Sequence, residues 1–172
     1  MNSFSSWYSW TNRKDLPGSD MPGVYLIAEF DHPPVEGVSP LDRHILQIGR
    51  TGADSKQTGG AYDDFLSKRL GKFEHSATTG KKAHSGARTL SKKSLPERWE
   101  DVYVAALQFP FPSDEDVRVA LSTVGLGDLD TKAAKRVLVS NRYGTWFREV
   151  ERKLLEDFES KHGHLPPGNK VL

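Results

Sequence analysis

Three short runs constrain the fold of this chain more than anything else in it: Gly23 to Phe30 (GVYLIAEF), Arg43 to Arg50 (RHILQIGR) and Asp101 to Phe109 (DVYVAALQF). Each is rich in aliphatic, β-branched and aromatic residues, is too short for an ordinary core helix, and is bounded by turn residues. Pro22 precedes the first run and Asp31-His32-Pro33-Pro34 follows it, while Pro110 and Pro112 close the third. The first two runs read as an antiparallel pair joined by a long Pro- and Gly-containing connection. Between and beyond the strands the period changes to 3.6. A helix is expected from about Tyr62 to His75, after Gly59-Gly60, and a long one from about Tyr143 to His162, stopped by Gly163 with Pro166 and Pro167 beyond. Ser113, followed by Asp114, Glu115 and Asp116, caps a short helix in the manner the helix dipole favours.

A chain of 172 residues has room for one ordinary domain. We expect an aromatic arm over residues 1–20 (Trp7, Tyr8 and Trp10), a single domain over 21–172, and an insertion at about 110–142. Cysteine is absent, which excludes disulfides and thiolate metal sites and suits a cytoplasmic location. No stretch has the length and hydropathy of a membrane span or signal segment, so no membrane association is expected. The net charge of +1 hides a strong asymmetry. From Lys68 to Arg98 there are nine Lys/Arg against two acids, Glu74 and Glu97. A basic middle on a mildly acidic body is the footprint of a protein that grips a polyanion, although a solvated basic loop has the same composition.

Two charges sit where apolar residues are expected. Phe147, Val150, Leu154, Leu155 and Phe158 form the apolar stripe of the last helix, and Glu151 projects from its middle. Tyr62, Phe65, Leu66, Leu70 and Phe73 form the stripe of the earlier helix, and Arg69 sits within it. An unpaired buried ion costs several kcal/mol, so each residue needs a partner or a cleft. They pair with each other, or they are a carboxylate for a metal ion and a guanidinium for a phosphate. The second arrangement, beside a basic segment, is the minimum equipment for phosphodiester hydrolysis.

These residues resemble the GIY-YIG nucleases. Gly23-Val24-Tyr25 is similar to the first signature, and Gln47-Ile48-Gly49 to the second except for its tyrosine. Arg69, the His84-Ser85 pair, Glu151 with Leu154 and Leu155, and the ending Gly163 to Asn169 (GHLPPGN) follow in the family's order. The resemblance implies an α+β fold, a small three-stranded antiparallel sheet flanked by helices, in keeping with the strands and helices read above. It implies a metal-dependent endonuclease acting on DNA. Glu151 would hold one Mg²⁺ (or Mn²⁺), Tyr25 would activate or orient the attacking water, and Arg69 would neutralise charge on the phosphoryl oxygens. His84 would assist proton transfer or hold a phosphate, and Asn169 would support the site.

A phenol is ionised in only about one part in 10³ at pH 7, so a basic Tyr25 needs cations nearby; a strand tyrosine packed in the core is the plainer reading. Gln47 departs from the family pattern, since an amide orients water but is no base. Slower catalysis, compensation by Tyr62 or Lys72, and a module that binds without cleaving are all compatible with it. DNA contacts are expected from Arg50, Lys72, Lys81, Lys82, Arg88, Lys92 and Lys93, where Gly80 to Arg88 offers small residues and cations for phosphates. Gly49-Arg50-Thr51-Gly52 lacks phosphate-loop spacing, and His162 and His164 read as helix-end polar residues. A homodimer, and a protein partner docked on the N-terminal arm, remain open.

Overall fold

The computed structural model describes residues 3–34, 39–51, 65–81, 84–91, 95–108, 113–127, 130, 134 and 144–169. It is an α+β protein whose sheet has four antiparallel strands: β1 (Tyr8–Ser9), β2 (Gly23–Glu29), β3 (Ile45–Arg50) and β4 (Val102–Gln108), in the order β1-β4-β2-β3. The three expected strands are present, and the count of three is corrected by β1. Two residues of the N-terminal segment pair with the outer edge of β4, Tyr8 opposite Val104 and Ser9 opposite Tyr103. So short a strand carries no period-2 signal.

β2 lies between β4 and β3 and is buried from Gly23 to Ala28. A strand covered on both faces reads as a continuous apolar run, as GVYLIA does. Its odd residues face one core and its even residues the other. Tyr25 and Ile27 pack with Val104 and Ala106 against Leu66, Leu70, Phe73 and Ala77 of α1 (Leu66–Thr79) and Ala87 and Leu90 of α2 (Ser85–Ser91). Val24, Leu26 and Ala28 pack with Ile48, Tyr103 and Leu107 against Phe147, Leu155 and Phe158 of the C-terminal helix, here α4 (Gly144–His162). Helix α3 (Asp114–Thr123) carries the expected N-cap, a reciprocal capping box between Ser113 and Asp116.

Helix α1 differs from its expected span. Phe65 is extended, the helix starts at Leu66, and it continues four residues past His75 because Ser76 and Ala77 prolong the buried stripe. Gly80 then ends it in the left-handed conformation, φ 69°, as Gly163 ends α4 at φ 74°. Tyr62 lies outside the described residues. The segment read as a basic loop contains α2 and a kinked 3₁₀ turn, Leu95–Asp101.

A β-bulge sets which face each β3 residue uses. Gln47 pairs with Ile27 but Ile45 pairs with Ala28, so Leu46 is the extra residue. Ile45 is thereby delivered to the α4 core, while Gly49 remains opposite Tyr25. The outer edge of β3 is covered by the C-terminal segment. Gly168 N–H donates to Leu46 O (2.7 Å), and the Asn169 amide pairs in both directions with Ile48, Oδ1 accepting from N–H (3.0 Å) and Nδ2 donating to O (2.8 Å). Among the described residues no helix is long and apolar enough to cross a membrane.

The N-terminal aromatic residues face inward. Trp10 is 1% exposed, stacks on Trp99 at 4.7 Å between ring centroids, tilts against Phe73, and donates Nε1–H to Glu74. Trp7 meets Phe30 edge-on over the other core. Replacing Trp10 with Ala should therefore cost about 3–5 kcal/mol, the usual loss for a large buried aromatic. Urea unfolding measures it, and a loss below about 1 kcal/mol would show that this ring is not part of the core.

Candidate functional site

Strand β3 organises the candidate site, and Gly49 is its pivot. Tyr25 stands directly opposite Gly49, and a Cβ at position 49 would lie 2.4 Å from the Tyr25 Oη. The phenol thus lies flat over a residue with no side chain and reaches across β3. There Tyr25 Oη is 2.9 Å from His84 Nε2, at the entrance to α2. The imidazole is itself held: Nδ1 accepts the Ala87 N–H at 3.3 Å, and the ring meets Phe73 edge-on at 5.2 Å. An Nδ1 that accepts from a backbone amide leaves the proton of the neutral ring on Nε2. On this hydrogen-bond assignment His84 is the donor and the Tyr25 oxygen the acceptor. Tyr25 is fully buried and His84 is 6% exposed.

Gln47 is on the same face, 5% exposed, and does not look onto open solvent. Its Nε2 donates to Ile48 O (2.7 Å), and its Oε1 lies so close to Gly86 and Gly168 that neither position has room for a Cβ. That oxygen has no hydrogen-bond partner among the described residues. Ile48 O is shared with Asn169 Nδ2, so the two amides converge on one carbonyl. Arg69 is on α1, half-buried, its helix covering the Tyr25 face of the sheet.

Glu151 approaches from the other side. Its Oε2 is 2.7 Å from Arg50 Nε, and the two side chains keep 22% and 14% of their exposure, so the pair is in contact with water rather than sealed. Arg50 stands opposite Val24, whose side chain belongs to the α4 core, and this explains how a strand residue meets the stripe of α4. The sequence weighed Arg69 as the partner of Glu151; the structure shows an ion pair of Glu151 with Arg50. The structure brings Tyr25 to His84 and Glu151 to Arg50, on opposite faces of the sheet. The two pairs rest on neighbouring residues of β3, Gly49 and Arg50, with the sheet between them. Thr51 locks this end of the sheet, its Oγ1 accepting the Gly23 N–H at 2.9 Å.

Of the remaining expected contacts, Lys72 and Arg88 are half-buried and Lys81 is exposed, whereas Lys82, Lys92 and Lys93 lie outside the described residues. No group of three or more His, Asp or Glu that could hold a metal occurs among the described residues. His162 Nε2 is 2.9 Å from Leu41 O at the end of α4. Sequence reasoning sought a partner for Glu151 on helices and missed Arg50. The signal was parity: Arg50 is two residues from Ile48 and so shares its face. Comparison of the chain with family models, curated proteins and solved structures returned no match.

The orphaned Gln47 oxygen gives a stability prediction. Gln47→Met keeps the length of the side chain, removes a buried acceptor without a partner, and leaves Ile48 O bonded to Asn169. Thermal or urea unfolding should show the variant as stable as the parent or up to about 1 kcal/mol more so. A loss above about 2 kcal/mol would mean the Gln47 amide is fully satisfied.

Proposed function

We propose that this chain is a metal-dependent endonuclease that hydrolyses DNA phosphodiester bonds, with a site of the GIY-YIG kind at the Gly49–Arg50 end of β3. The observation that carries the reading is the Tyr25–His84 pair. A phenol whose oxygen accepts a hydrogen bond from His84 has its ionised form favoured, and its own proton is aimed elsewhere. This is what a tyrosine needs in order to orient an attacking water or take its proton, against an ionised fraction of about 10⁻³ for an unassisted phenol at pH 7. In this tautomer His84 acts as a donor at Nε2.

Glu151 offers one partly exposed carboxylate, which the Arg50 guanidinium neutralises, so a metal ion there would have to share or displace that contact. A single carboxylate completed by water and phosphate oxygens suits Mg²⁺ or Mn²⁺. When bound, such an ion supplies Lewis-acid polarisation of the scissile phosphate. Arg69 would neutralise charge on the phosphoryl oxygens, with Lys72, Lys81 and Arg88 holding the backbone by charge alone. Asn169 acts through β3, fixing the edge on which Gly49 and Arg50 sit.

A second reading has its own observation. Tyr25 is fully buried and Gln47 is wedged between glycines, so a module that binds nucleic acid without cleaving it also fits this geometry. Supercoiled plasmid incubated with the protein in Mg²⁺ or Mn²⁺, and with chelator, separates the two. Nicking that needs the metal is expected. Glu151→Ala should lower it by at least about 10²-fold and leave DNA affinity within about threefold, since the binding cations remain. Cleavage by that variant at the parent rate would remove the mechanism. Salt-sensitive binding with no cleavage under any metal would establish the second reading.

A further inference from the structure

Helix α1 contains a glycine that the rest of the protein does not call for. Gly71 sits mid-helix, where glycine is the least stabilising residue short of proline. Its φ is not positive, so the backbone conformation does not require it. A Cβ at that position would meet nothing within 4 Å among the described residues, so internal packing does not require it either. A body from outside the chain that comes close to the helix backbone is the remaining reason for a missing side chain.

The surroundings say what kind of body. Gly71 is exposed, with exposed Lys68 one turn before it, exposed His75 one turn after it and half-buried Lys72 beside it. The one acid of α1, Glu74, lies on the other flank, bonded to Arg13 at 2.5 Å and to Trp10 Nε1 at 3.3 Å. Charge along α1 also runs against the helix dipole. Lys68 and Arg69 stand near its start, with no acid in the first turn and no base in the last. The end of the helix is itself closed, since the Leu66 and Ser67 N–H groups donate to Met21 O (3.0 Å) and Ser19 O (2.7 Å). What is left open is the side of α1, basic and indented at Gly71.

Resting on the nucleic-acid part of the reading above, with or without cleavage, we propose that the outer side of α1 is a contact surface for a DNA backbone, with Gly71 the point of closest approach. The missing Cβ lets the sugar-phosphate chain lie against the helix, and Lys68 and Lys72 neutralise phosphates on either side. From Lys68 to His75 the helix rises about 10 Å, a length over which one DNA strand carries about three phosphates. The surface anchors and does not cut. The inner side of α1, Leu66, Leu70, Phe73 and Ala77, covers the core that holds Tyr25, so the helix stands between this surface and the Tyr25–His84 pair.

Fluorescence anisotropy of a short labelled duplex, in chelator so that nothing is cleaved, tests the surface alongside thermal unfolding. Gly71→Met favours the helix and adds no charge. It should raise the melting temperature by about 2–4 °C. It should also weaken DNA binding at least about fivefold, the scale of one displaced charged contact. Lys68→Met should weaken binding and lower the slope of log affinity against log salt by about one. Ala120→Met, on the exposed side of α3, should leave affinity unchanged. Gly71→Met that binds DNA as the parent does overturns the surface, and so does Gly71→Met that melts well below the parent, which would give the glycine an internal role. Loss of polyglutamate binding with DNA binding intact would assign the face to an acidic protein instead. If the parent itself binds no DNA, the nucleic-acid reading falls and the surface with it.

Discussion

The hydrogen bond between Tyr25 and His84 is the constraint on which this side of the molecule depends. A phenol placed in a closed core without a partner costs about 1–3 kcal/mol, and the site is dry enough for that to apply. His84 supplies the partner, but only if α2 is docked where it is. Docking is achieved by Ala87 and Leu90 in the core and by close approach of the Gly86 backbone to the Gln47 side chain. Gly49 completes the arrangement from below, since any side chain there would meet the ring. One polar contact therefore ties β2 to the start of α2 across β3, and the Ala87 N–H bonded to Nδ1 sets the tautomer of the histidine.

The ion pair on the other face obeys different physics. Arg50 and Glu151 keep only 14% and 22% of their side-chain exposure, so the cost of taking the charges out of water offsets much of their attraction, and the pair adds little to folding compared with the two cores. Its significance lies in geometry. A glutamate in the middle of an apolar helix stripe is held at the sheet by a cation on β3. Stability alone does not account for such a residue, because an aliphatic side chain at 151 would pack against α4's neighbours at no electrostatic cost.

Much of the scaffold was legible because its signals are local. The three longer strands carry β-rich runs between prolines, the stop of α4 is Gly163, and the cap of α3 is Ser113 with Asp116; each is visible within a few residues. What escaped depends on pairing at a distance. β1 has two residues and exists because β4 offers an open edge. α1 was placed too early because Ser76 and Ala77 are buried by their neighbours rather than by their own hydropathy. The Glu151 partner was sought by helix spacing, whereas it sits on a strand. Consecutive apolar residues at Ile45 and Leu46, in an otherwise alternating run, were the trace of the bulge.

That bulge sets which residues of β3 reach each core. A strand segment alternates faces without exception, so Gly49 and Arg50 must point to opposite sides. Were Leu46 in regular register instead of bulged, Ile45 would share the face of Gln47 and Gly49 and be lost to the α4 core. With it, β3 contributes Ile45 and Ile48 to the α4 core and still presents Gly49 to Tyr25. Bulges bend and re-aim the strands that carry them, and this one is pinned on its outer side by Gly168 and Asn169. The register of the candidate site is therefore fixed from the edge of the sheet, not by the charged side chains themselves.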